Sequence, residues 1–227
     1  LLTLAEMYVQ GVSTRKVAAI TERLCGTQIS ASQVSRAAQT LDEELEAWRS
    51  RSLGEIIYLY LDARYEKVRQ SGSVRDAAIL MACGVKRDGK RSILGISVSL
   101  SEAEAHWRAF LEGLVKRGLQ GVRLIISDDH TGMEAARKAV FTGVPWQRCQ
   151  FHLQQNAQAY VPKVGMRREV SEDIRTIFNA PDRETAESYL KKVVEKYAIL
   201  APKLADWMEV NLPEGFTVFA FPKTHQR

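Results

Sequence analysis

The sequence predicts an α/β fold, in which a mixed sheet occupies the middle of the chain and helical regions precede and follow it. Three observations carry this prediction. Between residues 53 and 152, short apolar runs rich in β-formers alternate with amphipathic stretches. Two of these runs flank an Asp-Gly pair, which is a strong signal for a β-hairpin. Outside this region, apolar residues recur at three- and four-residue intervals, as expected of helices.

The composition is that of an ordinary globular protein with a mild positive charge. The chain has 227 residues, of which 45% are hydrophobic and 26% charged, and its formal net charge is +5. No apolar run approaches the roughly 20 residues that span a bilayer. Residues 63–91 carry eight basic and three acidic side chains, a surplus equal to the net charge of the whole chain. We therefore expect a positive field just after Asp62, which favours an anionic partner.

The cysteines and the N-terminus indicate the compartment. Cys25, Cys83 and Cys149 lie far apart, which favours reduced thiols in a cytoplasmic protein over a disulfide framework. The N-terminus has no basic leader followed by an apolar stretch, so nothing in it indicates export. The chain also begins without Met, and we expect it to be a fragment at this end.

Residues 1–52 predict a helical region with the outline of a helix-turn-helix. Ser13 can cap a first helix, which places Val17, Ile20 and Leu24 on one face and stops at Gly26. A serine with capping-box spacing then opens a longer helix. The apolar positions of that second helix recur at helical intervals, and they are Val34, Ala38, Leu41, Leu45 and Trp48.

A helix-turn-helix places the second helix of the pair in the major groove, with its first residues facing the base edges. The residues in that position are Gln33, Ser35 and Arg36, and those available to phosphates are Arg15 and Lys16. The alternative interpretation is a three-helix packing or dimerisation element. The neutral charge of this region favours the alternative, whereas the capping pattern and the polar residues favour DNA.

The middle region predicts a mixed sheet. Strands are expected at residues 56–61, 77–85, 92–100 and 122–126, with a weaker fifth strand at 146–151. Ser101 has capping-box spacing to Glu104 and opens a helix that stops at Gly118, and residues 131–140 form a further helix. Three meandering strands followed by alternating helices and strands make the RNase H-like order.

The pattern after residue 153 is helical, with Pro181 and Pro202 as breaks. We therefore predict three parts for the whole chain. They are a helix-turn-helix region over residues 1–52, the first part of an RNase H-like core over 53–152, and a helical insertion subdomain over 153–227, with the core continuing beyond the chain.

Two of the predicted strands end in carboxylates, Asp62 and Asp128. An aspartate that ends an apolar strand is costly to bury unless it is paired, hydrogen-bonded or bound to a metal ion. The first and fourth strands are neighbours in the predicted sheet, so both carboxylates would lie at one end of it. Carboxylates there can hold two Mg²⁺ ions, which clamp the attacking and leaving oxygens of a phosphodiester. Taken singly, each aspartate has a structural alternative, as a strand end in solvent or the start of a helix.

Three motifs in order resemble those of the bacterial mutator-type insertion-sequence transposases. Residues 61–69, Leu-Asp-Ala-Arg-Tyr-Glu-Lys-Val-Arg, resemble the segment of the first aspartate. Residues 126–132, Ile-Ser-Asp-Asp-His-Thr-Gly, resemble the segment of the second, where Ser-Asp-Gly is usual. Residues 147–152, Gln-Arg-Cys-Gln-Phe-His, match the family's Cys-x-x-His element. The resemblance extends over essentially the whole chain, and its specificity rests on the order of the motifs.

The resemblance implies a DDE-type transposase, a DNA-binding enzyme that moves a bacterial mobile element by DNA recombination. Asp62 and Asp128 would be catalytic and would bind Mg²⁺ or Mn²⁺, with two ions in the complete site. Strand cleavage would then be followed by attack of the freed 3′-hydroxyl on target DNA. The expected partners are the terminal inverted repeats of the element and the target DNA. A homodimer is expected to bind them, in the cytoplasm and associated with the nucleoid.

Two departures from the family pattern bear on the site. Asp129 stands where the family usually has Gly, and the register selects Asp128 over it as the ligand. The family's third acidic residue, a Glu in an Asn-x-x-Glu-Arg-type helix, has no counterpart up to Arg227, and we expect it beyond the chain. For this fragment we predict DNA binding with weak or absent catalysis. The rival hypotheses are a non-catalytic DNA-binding repressor, from a domesticated or truncated transposase, and a simple RNase H-like nuclease.

Further residues near the two aspartates are assigned by the same patterns. Arg64, Lys67 and Arg69 would follow DNA phosphates beside the metal ions. Cys149 and His152 have the ligand types of zinc but form only half of a tetrahedral set. A structural role is therefore favoured for this pair, with His152 hydrogen-bonded near the end of the fifth strand.

Overall fold

The N-terminal part of the chain forms a helix pair. The computed structural model describes residues 7, 11–26, 28–70 and 72–225, and the chain divides into two compact units, Leu1–Ser52 and Leu53–Arg227. In the first unit, α1 (Thr14–Cys25) is capped by Ser13 and ends at Gly26 in the left-handed conformation, with φ of 63°. Helix α2 (Ala31–Ser50) opens with the predicted capping box, in which Ser30 accepts from the backbone of Gln33 and Gln33 accepts from that of Ser30.

Fewer apolar side chains are buried in this unit than the apolar pattern predicts. Val17 and Val34 are fully buried, but Leu24 is 76% exposed and Leu45 is 41% exposed. The two helices contact each other, and the exposure of these two leucines places them outside the buried part of that contact. The helix-turn-helix function of the unit stays a prediction.

The second unit contains a five-stranded mixed sheet. Its strands are β1 (Tyr58–Gln70), β2 (Ser73–Val85), β3 (Arg91–Ser99), β4 (Leu124–Ser127) and β5 (Trp146–Arg148), in the order β3-β2-β1-β4-β5. Strands β1, β2 and β3 pair antiparallel, whereas β4 is parallel to β1 and β5 is parallel to β4. The predicted α/β class and the predicted pairing of the first strand with the fourth are confirmed.

The predicted strand boundaries were wrong in two places that matter for the site. Strand β1 does not end before Asp62 but continues to Gln70, paired with β2 along its whole length. This outer part of the hairpin is polar and largely exposed on both faces, so it has no apolar run from which to recognise it. Strand β5 ends at Arg148, and α5 (Gln150–Ala157) begins where the strand was expected to continue.

One face of the sheet carries the core of this region. Helices α3 (Glu104–Lys116) and α4 (Thr131–Val140) cover it, and their fully buried Trp107, Leu111 and Met133 pack with Leu59 and Leu80 of the strands. The capping box predicted at Ser101 and Glu104 is wrong, because α3 begins at Glu104 with Ala103 as its N-cap and no side-chain cap. The opposite face is more exposed, and its side chains include Tyr60, Ile93 and Ile96.

The C-terminal part of the unit is helical, as predicted. Helices α6 (Arg167–Phe178), α7 (Arg183–Tyr197) and α8 (Pro202–Asn211) follow α5, and Pro202 lies in the first turn of its helix. They share a second core around Ile174, Leu190 and Met208. No helix in the described ranges is long and apolar enough to cross a membrane.

A 3₁₀ segment after α8, made of two short helices at Leu212–Gly215 and Thr217–Ala220, connects this helical region to the sheet. Gln150 donates to the carbonyl of Gly215 at 2.9 Å. Thr217 donates its hydroxyl to the carbonyl of Trp146 at 2.8 Å, and the backbone of Val218 donates to the side chain of Gln147 at 2.6 Å. The helical region is therefore attached to β5, directly beside the end of β4.

Candidate acidic site at the end of the parallel strands

The pairing of β1 with β4 relates the positions of the two predicted aspartates. The last paired residues of the two parallel strands are Tyr60 of β1 and Ile126 of β4. Asp62 and Asp128 are each two residues further along, so they occupy equivalent positions beyond that pair. Asp128 directly follows the end of β4, as predicted, whereas Asp62 lies within β1, at the point where its parallel neighbour ends.

Asp128 has a buried oxygen that makes no hydrogen bond within the described part of the chain. Its side chain is 38% exposed, yet Oδ1 is buried and accepts no hydrogen bond from the described residues. Asp62 is exposed, and its Oδ1 accepts from the adjacent backbone N–H of Ala63 at 2.9 Å. Both residues thus keep carboxylate oxygens available, and hard cations such as Mg²⁺ prefer such ligands. The donor chemistry fits a divalent cation, although no group of three or more His, Cys, Asp or Glu able to hold a metal occurs in the described ranges.

Arg148 is a feature of this site that sequence reasoning missed. It ends β5 opposite Ser127, and its side chain is only 10% exposed. Its Nε lies 3.6 Å from Asp128 Oδ1, and its Nη1 lies 3.5 Å from Asp129 Oδ2 and 3.1 Å from Glu214 Oε2. A guanidinium is costly to bury unless it is paired. Three carboxylates meet that need here. The feature of the sequence that could have indicated this residue is an arginine inside a buried strand, next to the Cys-x-x-His element.

A groove of about 320 Å³ lies on the exposed face of the sheet beside Asp62. Cys149, the N-cap of α5, and His152, one turn into that helix, both line it together with Cys83. The structure therefore brings the Cys-x-x-His pair close to the first aspartate, from a helix rather than from the predicted strand. His152 Nδ1 is buried and makes no hydrogen bond with the described residues, so this nitrogen does not provide the hydrogen bond predicted for His152.

A smaller basic pocket of about 160 Å³ adjoins this groove. It is lined by Lys86 and Arg87 of the β2–β3 turn, by Arg91 and by Arg123, and it shares Tyr60 and Arg91 with the groove. Arg87 is paired with Glu55 at 2.8 Å, whereas no carboxylate lines the pocket itself. Burial raises the pKa of Tyr60, and the positive charge of Arg91 opposes that rise. The turn at residues 86–91 is thus part of a concave cationic surface.

The basic residues predicted next to Asp62 lie on two different faces of β1. Side chains alternate along a strand, so Arg64 shares a face with Asp62, whereas Lys67 and Arg69 belong to the other face. Arg64 also pairs with Glu66 at 2.7 Å. These three side chains therefore do not form one row beside the acids.

The residues predicted to contact DNA in the first unit are all exposed, and they are Arg15, Lys16, Gln33, Ser35 and Arg36. One of them has a structural task as well, because the side chain of Gln33 caps its own helix. A contact with a base through the amide oxygen of Gln33 would have to break that capping box, whereas the side-chain NH₂ group is not part of the box.

The comparison with known families shows to which family the chain belongs. The family model described as "Transposase, Mutator family" matches residues 2–227. The chain belongs to the Mutator family of transposases. Among its relatives, the transposase for insertion sequence element IS406 of Burkholderia multivorans is 57% identical over 227 residues, which are 99% of this chain and 58% of that protein. The transposase for ISRM5 of Rhizobium meliloti is 43% identical over 226 residues, which are 99% of this chain and 56% of that protein.

A third relative comes from another organism. The transposase for IS256 in transposon Tn4001 of Staphylococcus aureus is 39% identical over 216 residues, 94% of this chain and 55% of that protein. The chain therefore spans little more than half the length of these relatives. Among solved structures, the HTLV-2 integrase catalytic core domain in complex with magnesium covers 71% of this chain and 86% of its own. With 14% identity and a TM-score of 0.30, that likeness is too distant to assign a function.

Proposed function

We propose that this chain is the part of a DDE-type DNA transposase that carries the first two acidic residues of the catalytic site. Its RNase H-like sheet would present Asp62 and Asp128 to a divalent cation. One observation carries the proposal. The buried Oδ1 of Asp128 accepts no hydrogen bond from the described residues, and the β1–β4 register, if continued by two residues, would bring Asp62 alongside it. An unsatisfied buried oxygen costs about 1–3 kcal/mol, which a bound cation would recover.

Asp62 and Asp128 would hold the cation, with Mg²⁺ or Mn²⁺ as the expected ions. When bound, such an ion supplies a Lewis acid for a phosphodiester and lowers the pKa of coordinated water. The protein's own contribution is orientation, because β1 and β4 are hydrogen-bonded neighbours and fix the two carboxylates relative to each other. Electrostatic attraction of the DNA would come from the cationic surface, to which Lys86, Arg91 and Arg123 contribute.

We further propose the partners that the family implies. The helix pair of residues 1–52 would bind the terminal inverted repeats, with Gln33, Ser35 and Arg36 towards the bases and Arg15 and Lys16 towards phosphates. A homodimer would join two element ends to target DNA. Cys149 and His152 would support the groove beside Asp62 without a metal ion of their own.

The test uses protein expressed from the complete reading frame that encodes this chain, with labelled element-end DNA and Mg²⁺. We expect strand nicking and joining by the wild type, and a loss of at least roughly 100-fold for Asp62→Asn and for Asp128→Asn. DNA affinity should stay unchanged in both variants. The matched control is Asp76→Asn, an exposed aspartate further out on the same hairpin, which should keep full activity.

Two outcomes would overturn the catalytic proposal. One is full nicking activity in either of the two aspartate variants. The other is tight, specific DNA binding by the wild type without nicking under any divalent cation, which would favour the non-catalytic repressor instead.

A further inference from the structure

The further inference concerns Trp146, the first residue of β5, which contacts the second-aspartate segment through Ser127. The indole Nε1 of Trp146 donates to Ser127 Oγ at 2.8 Å. The same hydroxyl donates its one proton to the backbone carbonyl of Asp128, also at 2.8 Å. Ser127 is only 2% exposed, so solvent has little access to this hydroxyl. Two hydrogen bonds in series therefore connect the indole to the backbone of Asp128.

The carbonyl on the other side of Asp128 is held as well. The backbone N–H of Cys149 donates to the carbonyl of Ser127 at 2.7 Å. The Cα atom of Asp128 thus stands between two peptide planes, and the carbonyl of each plane accepts a hydrogen bond. Because only φ and ψ of Asp128 relate these two planes, fixing both planes restricts the direction of its Cα–Cβ bond. These contacts orient the second aspartate through its backbone.

Trp146 is itself held by other elements of the second unit. Its carbonyl accepts from the hydroxyl of Thr217 at 2.8 Å, in the 3₁₀ segment that follows α8. The guanidinium carbon of Arg137, in α4, lies 5.0 Å from the centroid of its ring, which is within the range of a cation–π contact. Arg137 is 8% exposed, so this contact offsets part of the cost of burying its charge. Contacts from α4 and from the helical region thereby fix the indole that donates to Ser127.

We propose that Trp146 is a positioning residue for the second aspartate of the acidic site. Its indole N–H fixes the hydroxyl of Ser127, and that hydroxyl fixes the backbone at Asp128, so that the carboxylate is oriented in advance for a divalent cation. The helical region acts on the site through the same path, because Thr217 holds the backbone of Trp146. This inference rests on the proposed metal-binding function of Asp128.

Binding of Mn²⁺ to protein expressed from the complete reading frame, measured by electron paramagnetic resonance of the free ion, tests this role without a catalytic assay. Trp146→Phe keeps an aromatic ring but removes the N–H donor. We expect it to weaken Mn²⁺ binding by roughly 10-fold, the lower end of the effect that outer hydrogen bonds have on metal sites. Ser127→Ala removes the whole path and should weaken binding at least as much. Ser127→Thr keeps the hydroxyl and should bind within about twofold of the wild type.

The double variant of Trp146→Phe and Ser127→Ala shows whether the two residues act in series. If the indole acts only through the hydroxyl, the double variant should bind Mn²⁺ as weakly as Ser127→Ala alone. Independent effects would multiply instead, to a loss of roughly 100-fold, and that result would overturn the proposed path.

The matched control is Trp107→Phe, because the indole Nε1 of the fully buried Trp107 makes no hydrogen bond within the described ranges. This substitution removes the same atoms from the core and should lower the free energy of unfolding, as measured in urea. It should leave Mn²⁺ affinity unchanged. An equal loss of affinity in Trp107→Phe would show that destabilisation alone explains the effect of Trp146→Phe, and the positioning role would be wrong.

Failure of this role and failure of the metal site give different results. If Asp128→Asn leaves Mn²⁺ affinity unchanged, the proposed metal site is wrong, and this inference is wrong with it. If Asp128→Asn abolishes the tight site while folded Trp146→Phe and Ser127→Ala bind like the wild type, only the role of Trp146 is wrong.

Discussion

At the scale of single residues, the end of β4 collects polar atoms that the protein itself does not satisfy. Asp128 Oδ1, His130 Nδ1 and Arg148 Nε are all buried there without hydrogen-bond partners in the described ranges. His130 Nδ1 also lies 3.9 Å from Glu102, beyond hydrogen-bond distance. Each such atom costs about 1–3 kcal/mol. Arg148 Nε and Asp128 Oδ1 face each other as an ion pair at 3.6 Å, which offsets part of this cost, and a bound ligand would offset more of it.

The segment after the second aspartate depends on a close approach of two backbones at Gly132. A Cβ there would meet the carbonyl oxygen of Glu102 and would lie 2.9 Å from the nitrogen of Glu104, and neither backbone atom can turn away. We expect Gly132→Ala to lower the free energy of unfolding by roughly 1–3 kcal/mol. Urea unfolding measures this difference.

Gly113 is the matched control for that substitution. It lies inside α3, where a Cβ would meet nothing within 4 Å. Gly113→Ala should leave stability unchanged or raise it by up to about 1 kcal/mol, through helix propensity. Equal losses from both substitutions would contradict the close-approach explanation.

The hydroxyl of Tyr197 provides a pH-dependent contribution to the stability of the helical core. Tyr197 is buried and donates to Asp173 Oδ2 at 2.7 Å, and Lys196 donates to the same oxygen. Burial and the hydrogen bond to Asp173 raise the pKa of Tyr197 from 10.0 to about 12. Since the folded-state pKa is the higher one, this stabilisation is fully present below about pH 10 and is lost as the pH rises through about 12.

We therefore expect Tyr197→Phe to lose roughly 1.5–3 kcal/mol at neutral pH, the usual value of a hydrogen bond to a charged group. The difference from the wild type should shrink between pH 10 and 12, as measured by urea unfolding along a pH series. Tyr189→Phe, at a half-buried tyrosine of the same helix, should stay within about 0.5 kcal/mol of the wild type. A constant Tyr197→Phe difference across that pH range would be the opposing result.

At the scale of elements, the β1–β2 hairpin decides which charges can act together. Its strands continue past Asp62, and their alternation separates Arg64 from Lys67 and Arg69. The cationic pocket arises instead where the β2–β3 turn meets the start of β4. It includes Arg91 and Arg123, which are 32 residues apart in sequence. Topology, and not the local density of basic residues, thus concentrates positive charge beside the groove.

DNA binding should depend on this pocket. For Arg91→Ala and Arg123→Ala we expect weaker binding to DNA of any sequence. The slope of log affinity against log salt concentration should be smaller by about one for each phosphate that the variant no longer binds. Fluorescence anisotropy across a NaCl series gives both quantities. The control is Arg168→Ala, an arginine with 88% exposure that pairs with Glu172 on the helical region and should leave the slope unaltered. Identical slopes for the pocket variants and the control would exclude the pocket from DNA binding.

At the scale of the whole molecule, the sheet and the order of its elements could be predicted, whereas the contacts between distant parts could not. The apolar runs identify the buried stretches of β1, β2 and β3, and Asp88-Gly89 identifies the hairpin turn, where Gly89 has φ of 78°. Asp128 is found because it follows an apolar strand. The outer hairpin was missed because its exposed faces carry no apolar pattern.

Arg148 was missed for a different physical reason. Its strand has only three residues, which is too short for a periodic signal, and two of its partners, Asn211 and Glu214, lie 63 and 66 residues further along the chain. A contact at such separation depends on how the helical region packs against β5. The sequence around Arg148 therefore shows an arginine in a buried strand but does not show which residues pair with it.

The most direct test of the central claim is the position of the metal ion itself. Crystals of the chain soaked in Mn²⁺ and measured at the manganese absorption edge would locate it by anomalous scattering. We predict a peak with carboxylate oxygens of both Asp62 and Asp128 at about 2.1 Å, the distance typical of a small octahedral divalent cation. A peak coordinated by Asp129 and Glu214 without Asp62, or no peak near Asp128, would contradict the account.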